Sequence, residues 1–309
     1  MTLHNRLNWI GGATRKSADG SSFGKGIEPR NLRLCEHGAA HVSLAGDWSG
    51  MAQGLHELGD VVASTLNDAA ILTQRGRFPR FDLCPCGRFA VNGLGGLGFD
   101  FAEWRRLWAT RRTTAGGVCH SLAIVGHDNR AAHQVLLADP AAEEVFAGFT
   151  RLHQGEPEER HHWPARGHEL CAGYHERFRC RKWEFVESAK SGSRKLTTGC
   201  VGQLFEAALS ARLCLTTTIV SAPVIQSSLW TPVALEQNGN RLAVTSESTQ
   251  LRMDLSGVAE VWSVPPPEHM DGCFAVELYD AEDRLLLGLS VAAGHECAWL
   301  ELLRTLPAA

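Results

Sequence analysis

One separation, 154 residues, recurs along the 309-residue chain and constrains its fold more than any other feature. Without a gap it carries Gly38 onto Gly192, Leu55 onto Leu209, Ile71 onto Ile225, Asp100 onto Asp254, Trp108 onto Trp262 and Cys119 onto Cys273. Asn129-Arg130 falls on Asp283-Arg284, and the apolar Phe146, Phe149 and Leu152 fall on Leu300, Leu303 and Leu306. A constant offset over so many positions is the mark of a tandem duplication. Residues 154–160, Gln-Gly-Glu-Pro-Glu-Glu-Arg, are polar and carry Gly and Pro, so they read as the linker. The two copies are expected at 1–155 and 161–309.

The periodicity changes in the same order within each copy. A helical stretch comes first, Trp48 to Leu58 and then Val201 to Leu213, where Leu204, Phe205, Ala208 and Leu209 share one stripe. Strand-like segments follow, among them Leu215 to Val220, Arg241 to Thr245, Val258 to Val264 and Phe274 to Tyr279. The turn signals Asn238-Gly239 and Asp271-Gly272 separate them at a spacing that suits antiparallel meanders. A final helix, Ala142 to Leu152 or Glu296 to Leu306, closes each copy. Asp100-Phe101-Ala102-Glu103 has the form of a capping box. Its counterpart Asp254-Leu255-Ser256-Gly257 precedes a strand-like run, so strand, turn, strand is expected in both. The fold class is α+β, each copy a large antiparallel β-sheet with flanking helices. Trp108 and Trp262 are expected to be equivalent core wedges.

Composition narrows the function classes. Hydrophobic residues make up 44% and charged residues 21%, which is globular usage. A net charge of -4 argues against phosphate contact as a main source of affinity, so no nucleic acid is expected as partner. Met1 to Ser21 holds no apolar run of signal-peptide length, and Leu285 to Ala293 is too short to span a bilayer, so no membrane insertion is expected. A cytoplasmic location follows, with the ten cysteines as reduced thiols.

Histidine and cysteine crowd one place: His161, His162, His168, Cys171, His175 and Cys180. On a helix, positions 168, 171 and 175 would share a face. Three readings stand: a tetrahedral zinc site, although the pairs typical of one are absent; a single axial imidazole for haem; or surface histidines beside a linker. Cys84-Pro85-Cys86 lacks the spacing for covalent haem attachment and reads as a loop. Gly93, Gly95, Gly96 and Gly98 open a strand with no Lys-Ser/Thr after them, so they are no phosphate loop. Gly20-Ser21-Ser22-Phe23-Gly24 lacks the buried strand that a nucleophile elbow needs.

Order and spacing then carry a resemblance over nearly the whole chain. Leu58-Gly59-Asp60-Val61-Val62-Ala63-Ser64-Thr65-Leu66-Asn67-Asp68, Asp100 to Trp108, Ser121 to Val125 and Gln134 to Leu136 carry it in copy one. Gln203 to Ala208, Val261-Trp262 and Val276 to Ala281 carry it in copy two. The sequence resembles the HemS/ChuS-like haem-utilisation family, cytoplasmic bacterial proteins of two tandem copies that bind, traffic and in some cases degrade haem. The resemblance implies haem b in a cleft between the copies. His168 falls where the family has its axial iron ligand, and Arg181 where it has an arginine close to the propionates.

The departures bear on activity. The family's distal arginine falls on Ala102, while the aromatic two residues later is kept as Trp104. The basic turn of the family reads Pro265 to Gly272 here, and its late arginine falls within Leu289 to Ala292, so two cationic propionate partners are missing. Arg105, Arg106 and Arg111 are candidates to replace them. The resemblance therefore implies haem uptake, trafficking or storage, with at most slow degradation, and with a haem transporter or haem oxygenase as partner and a homodimer as a further expectation. A haem-degrading oxygenase and a binding or regulatory protein without haem are the alternatives.

Overall fold

The computed structural model describes residues 39–84, 87–92, 96–114, 117–155, 192–266 and 274–309, and in it both copies follow one order of elements. Copy one runs β1 (Ala39–Leu44), α1 (Trp48–Gly54), β2 (Asp60–Leu66), β3 (Ala70–Arg77), β4 (Phe81–Leu83), β5 (Phe89–Asn92), β6 (Leu97–Asp100), β7 (Trp104–Thr114), β8 (Gly117–Gly126), β9 (Ala131–Leu137) and α2 (Glu143–His153). Copy two runs β10 (Arg194–Leu196), α3 (Cys200–Ser210), β11 (Leu215–Ser221), β12 (Val224–Trp230), β13 (Ala234–Asn238), β14 (Arg241–Thr245), β15 (Thr249–Asp254), β16 (Glu260–Val264), β17 (Ala275–Tyr279), β18 (Leu285–Val291) and α4 (Glu296–Thr305).

Local chemistry explains the boundaries. Asp47 caps α1, its carboxylate accepting the Ser49 amide at 3.0 Å. The chain leaves the following turn through Gly59 at φ 68°, a left-handed conformation that glycine takes without strain. Glu143 and Glu144 open α2 and Arg151 stands in its last turn, which complements the helix dipole. The apolar stripe of α3 is buried, with Val201, Leu204, Phe205 and Ala208 at 1% exposure or less. In β15 every second residue is buried, as a strand with one face on a core requires.

The strands form two nine-stranded antiparallel sheets, ordered β1-β7-β8-β9-β2-β3-β15-β14-β13 and β10-β16-β17-β18-β11-β12-β6-β5-β4. The first six strands of each sheet belong to one copy and the last three to the other. Copy one therefore lends the meander β4–β6 to the second sheet, and copy two lends β13–β15 to the first. The 154-residue offset holds within the pairings: Trp108 lies opposite Ala123 as Trp262 lies opposite Glu277. Even the irregularity between Ile124 and Val125 recurs between Leu278 and Tyr279. At the two junctions Leu72 pairs with Leu251 and Gly98 with Ile225. A Cβ at Gly98 would stand 3.0 Å from the Ile225 Cγ2, so any side chain there would crowd the junction.

Two apolar cores result. One gathers residues of α1, α2, β7 and β8 with Phe81, Ala90 and Phe99 of the lent meander. The other gathers α3, α4, β16–β18 and β11 with Leu242, Val244, Leu251 and Met253. Each core is thus drawn from one copy, apart from Val224 in the first and Ala69, Ala70 and Leu72 in the second. The meanders are exchanged in hydrogen bonding and kept in packing.

Two expectations need correction. Trp108 and Trp262 are equivalent but are not core wedges: the core takes Leu107 and Ala109 on β7, and period 2 turns Trp108 to the opposite face, half-buried. There Arg106 lies over the Trp108 ring at 5.9 Å, and the Lys195 ammonium over Trp262 at 5.8 Å. Nor are all the cysteines thiols, since Cys84 is disulfide-bonded. No helix among the described residues is long and apolar enough to cross a membrane.

Candidate functional site

The corner that carries Ala102 and Trp104 is built on Asp100. This residue ends β6, is 3% exposed, and caps the single 3-10 turn Phe101–Glu103 by accepting the Ala102 amide at 3.1 Å. Arg88 closes on it in a two-pronged pair, Nε to Oδ1 at 2.8 Å and Nη2 to Oδ2 at 2.7 Å. The Ala102 carbonyl accepts from His127 Nε2 at 3.0 Å, so the turn is held from both ends. Asp254 caps Leu255–Gly257 in the same way, accepting the Ser256 amide at 3.1 Å. Strand, turn, strand is therefore common to both copies.

Beside this corner lies a groove of about 410 Å³ between the copies. Leu66, Val220, Pro223, Leu285 and Leu286 form its apolar surface, with Glu103, His127 and Arg130 among its polar lining. Two matched turns deliver its arginines. Asn129 at φ 60° and Asp283 at φ 63° take the left-handed conformation, one residue before Arg130 and Arg284. Both guanidinium groups then converge on Asp68: Arg130 donates to Oδ1, and Arg284 Nη2 to Oδ2 at 3.2 Å. Burial disfavours the charge of Arg284, but the hydrogen bond and charge of Asp280, with Asp68 and Glu282, raise its pKa. Asn67 adds a second tie, its Nδ2 donating to the carbonyls of Val220 at 3.0 Å and Leu286 at 2.7 Å. The charges here answer one another across the two copies, which makes the groove a latch.

A third feature was not read from the sequence. His133, wholly buried on β9, stands 2.8 Å from the Thr65 hydroxyl through Nδ1, and that hydroxyl donates to Gln226 Oε1 at 2.6 Å. A hydroxyl has one hydrogen to give, so Nδ1 is the protonated nitrogen and Nε2 carries the lone pair. Nε2 has no partner and faces aromatic neighbours, with the Phe99 ring at 5.8 Å and Phe78 at 6.5 Å. Burial pushes the imidazole down to about 3, so it is neutral. The repeat itself held the signal: 154 residues away, Thr65, His133 and Gln226 correspond to Ile219, Leu287 and Leu72, all at 0% exposure. The fold closes with apolar residues at those places.

The expected site residues fall as follows. His168 and Arg181, with the rest of the His/Cys cluster, lie outside the described residues, as does most of the turn 265–272. Ala102 is half-buried in the capped turn. Trp104 is 4% exposed and packs on Trp48, Phe99 and Phe101, and its indole N–H donates to the Pro223 carbonyl at 3.4 Å. Arg105 donates to Asn129 at 2.5 Å, Arg106 covers Trp108, and Arg111 is exposed. Leu289, within the segment where the family's late arginine falls, belongs to the second core. Among the described residues, no three of His, Cys, Asp and Glu are grouped to hold a metal ion.

No family model matches the chain. No curated protein matches it either. Solved structures do. Holo-PhuS, a heme-binding protein from Pseudomonas aeruginosa, superposes with a TM-score of 0.71 at 20% identity, covering 87% of each chain. The heme degrading enzyme ChuS of Escherichia coli O157:H7 gives a TM-score of 0.70 at 14% identity over 88% of this chain and 87% of that one. ChuS, described as an E. coli heme oxygenase, gives 0.67 at 15% over 86% and 88%. The chain has the fold of these proteins, as the duplication and the two antiparallel sheets require.

Proposed function

We propose that this protein binds haem b in a cleft between the copies for uptake, trafficking or storage, with His168 as the iron ligand and Arg181 toward a propionate. The observation that carries the reading is the fold shared with holo-PhuS over 87% of both chains. The alignment of His168 with the family's axial histidine supports the ligand. A neutral imidazole binds iron through one nitrogen, and a guanidinium pairs with a carboxylate. We take the copies to be 1–155 and 161–309, and the protein to be cytoplasmic, with a haem donor or acceptor as its protein partner.

The described residues fit a carrier better than an oxygenase. Bound haem supplies the redox and oxygen chemistry of such proteins, and degrading it calls for a hydrogen-bond donor on the distal side. Ala102 offers only a methyl group, and its amide is committed to Asp100. The Trp104 indole is committed to Pro223. Loss of one such donor costs about a hundredfold in rate in well-studied sites.

A titration with haem followed by absorbance tests this. The expected outcome is one saturable site that His168→Ala abolishes or shifts in spectrum. An unchanged spectrum in that variant would remove the ligand assignment. With a physiological reductant, and catalase to remove free peroxide, the band should persist; brisk loss would favour the oxygenase.

A further inference from the structure

A second cleft, of about 650 Å³, opens on the far side of the copy junction from the latch, where the start of β2 and the end of β3 meet β12, β6 and the start of β11. Its apolar wall is Val61, Ala63, Phe78, Pro79, Leu97 and Leu229, the last 62% exposed. Its polar wall has an unusual bias. Three carboxamides line it, and each turns its oxygen into the protein: Gln74 Oε1 accepts from the Ser228 hydroxyl at 2.9 Å, Asn92 Oδ1 from the Leu97 amide at 3.1 Å, and Gln226 Oε1 from Thr65 at 2.6 Å. The Asn92 orientation is fixed by its donor, since a backbone N–H can only give.

Each carboxamide therefore leaves its NH2 for the cleft, and none of the three has a protein partner among the described residues. Arg77 adds a guanidinium with no ion pair among the described residues, although Asp60 is its cross-strand partner. Among the described residues no carboxylate lines the cleft. Three uncommitted amide donors and one cation, beside an apolar wall, form a surface that water satisfies poorly and an acceptor-rich anion satisfies well. Amides withdrawn from solvent usually find partners on both atoms, and with Gln226 buried and Gln74 and Asn92 half-buried, three one-sided ones in one cleft need an explanation.

Folding does not supply it. At the offset of 154 residues, Gln74, Arg77, Asn92 and Gln226 correspond to Ser228, Thr231, Ser246 and Leu72. At these four positions the other copy has neither an amide nor a charge, although the counterparts of Gly96, Ser228 and Leu229 are Gln250, Gln74 and Arg75. The Gln226 amide is in turn oriented by the chain from His133 through Thr65, which is equally confined to one side.

We propose that this cleft is a ligand site for an organic anion with an apolar body, a carboxylate or sulfonate held by Arg77 and the amides of Gln74, Asn92 and Gln226. The site is separate from the haem reading and does not depend on it. The probe is 8-anilinonaphthalene-1-sulfonate, titrated by fluorescence into the full chain, with the uncharged N-phenyl-1-naphthylamine beside it. Asn92→Asp and Gln74→Glu keep the inward oxygen and replace the outward donor with an acceptor, while Arg77→Glu reverses an exposed charge. Each should weaken the anionic probe about tenfold or more and leave the neutral probe unchanged. His168→Ala should affect neither probe. Should Asn92→Asp or Gln74→Glu fail to fold, the exposed Arg77→Glu still decides. Unchanged affinity for the anion in that variant, equal loss of both probes, or the absence of a saturable anionic site would overturn the proposal.

Discussion

The chain of polar groups from His133 through Thr65 to Gln226 is a residue-level feature with a measurable consequence. Its imidazole, held near 3 by burial, binds a proton at 6.5 once the chain unfolds. A depressed histidine pKa favours the folded state fully above 6.5, and that contribution is lost as pH falls from 6.5 toward about 3. The swing is on the order of 4 to 5 kcal/mol if the whole shift is realised. Urea unfolding followed across this window should therefore show a midpoint that declines with acid more steeply than in a variant lacking the group. His133→Leu alone strands the Thr65 hydroxyl, so it confounds charge with a broken hydrogen bond. The triple variant Thr65→Ile, His133→Leu, Gln226→Leu copies the residues of the opposite copy. It should fold with equal or greater stability and lose that part of the acid slope. If the slope is the same in the triple variant, His133 is not its source.

At the scale of elements, the two capped turns allow a controlled comparison, because the same backbone device carries different loads. Asp100 caps its turn and also holds the Arg88 guanidinium in a nearly buried pair, while Asp254 caps a turn and bonds the Ser256 hydroxyl at its surface. Asp254→Ala should cost about 1 kcal/mol, and Asp100→Ala more than that, since it removes the two-pronged bond to Arg88 together with the cap. Equal chemical-denaturation losses would mean that the Arg88 pair adds nothing. Elements of this kind were legible in the sequence: the four helices among the described residues and the strands Arg241–Thr245 and Leu215–Ser221 lie within a residue or two of their periodic signals, apart from the first helix, which ends in a 3-10 turn, and the third, which stops at Ser210. Period and capping are local properties, and local patterns report them. Which sheet a strand joins is not local, so the lending of β4–β6 and β13–β15 left no trace in the period. Trp108 and Trp262 misled for a related reason, since alternation fixes that two faces exist and an aromatic side chain over a cation suits the outer one. For the site, Ala102 and Trp104 were legible as departures from a family pattern, whereas the commitment of the Trp104 indole to Pro223 joins residues far apart in sequence.

At the scale of the whole molecule, the exchange of meanders decides what half of this chain can do alone. A fragment of residues 1–155 would keep its own core and lose the partner strands of both β3 and β6. An unpaired β3 edge beside a three-stranded meander with no sheet to join is a template for pairing with another chain. The offset supplies a matching partner: Gly98 pairs with Ile225 in the intact protein, and the residue 154 positions before Ile225 is Ile71, on β3. Likewise Val224, the one contribution of copy two to the first core among the described residues, corresponds to Ala70. A second fragment can therefore offer its β3 to the first fragment's β6 in the same register and receive the reciprocal pairing, closing two sheets around a two-fold axis. The expected outcome for residues 1–155 is a folded homodimer, with twice the fragment mass by light scattering and a strand-rich circular dichroism spectrum. Replacing Gly98 with valine should weaken this dimer, because the added side chain meets the isoleucine across the junction as it would meet Ile225 in the parent chain. A fragment that folds as a monomer, with β3 and the meander each stable at a free edge, would show that the exchange is dispensable and that each copy is self-sufficient.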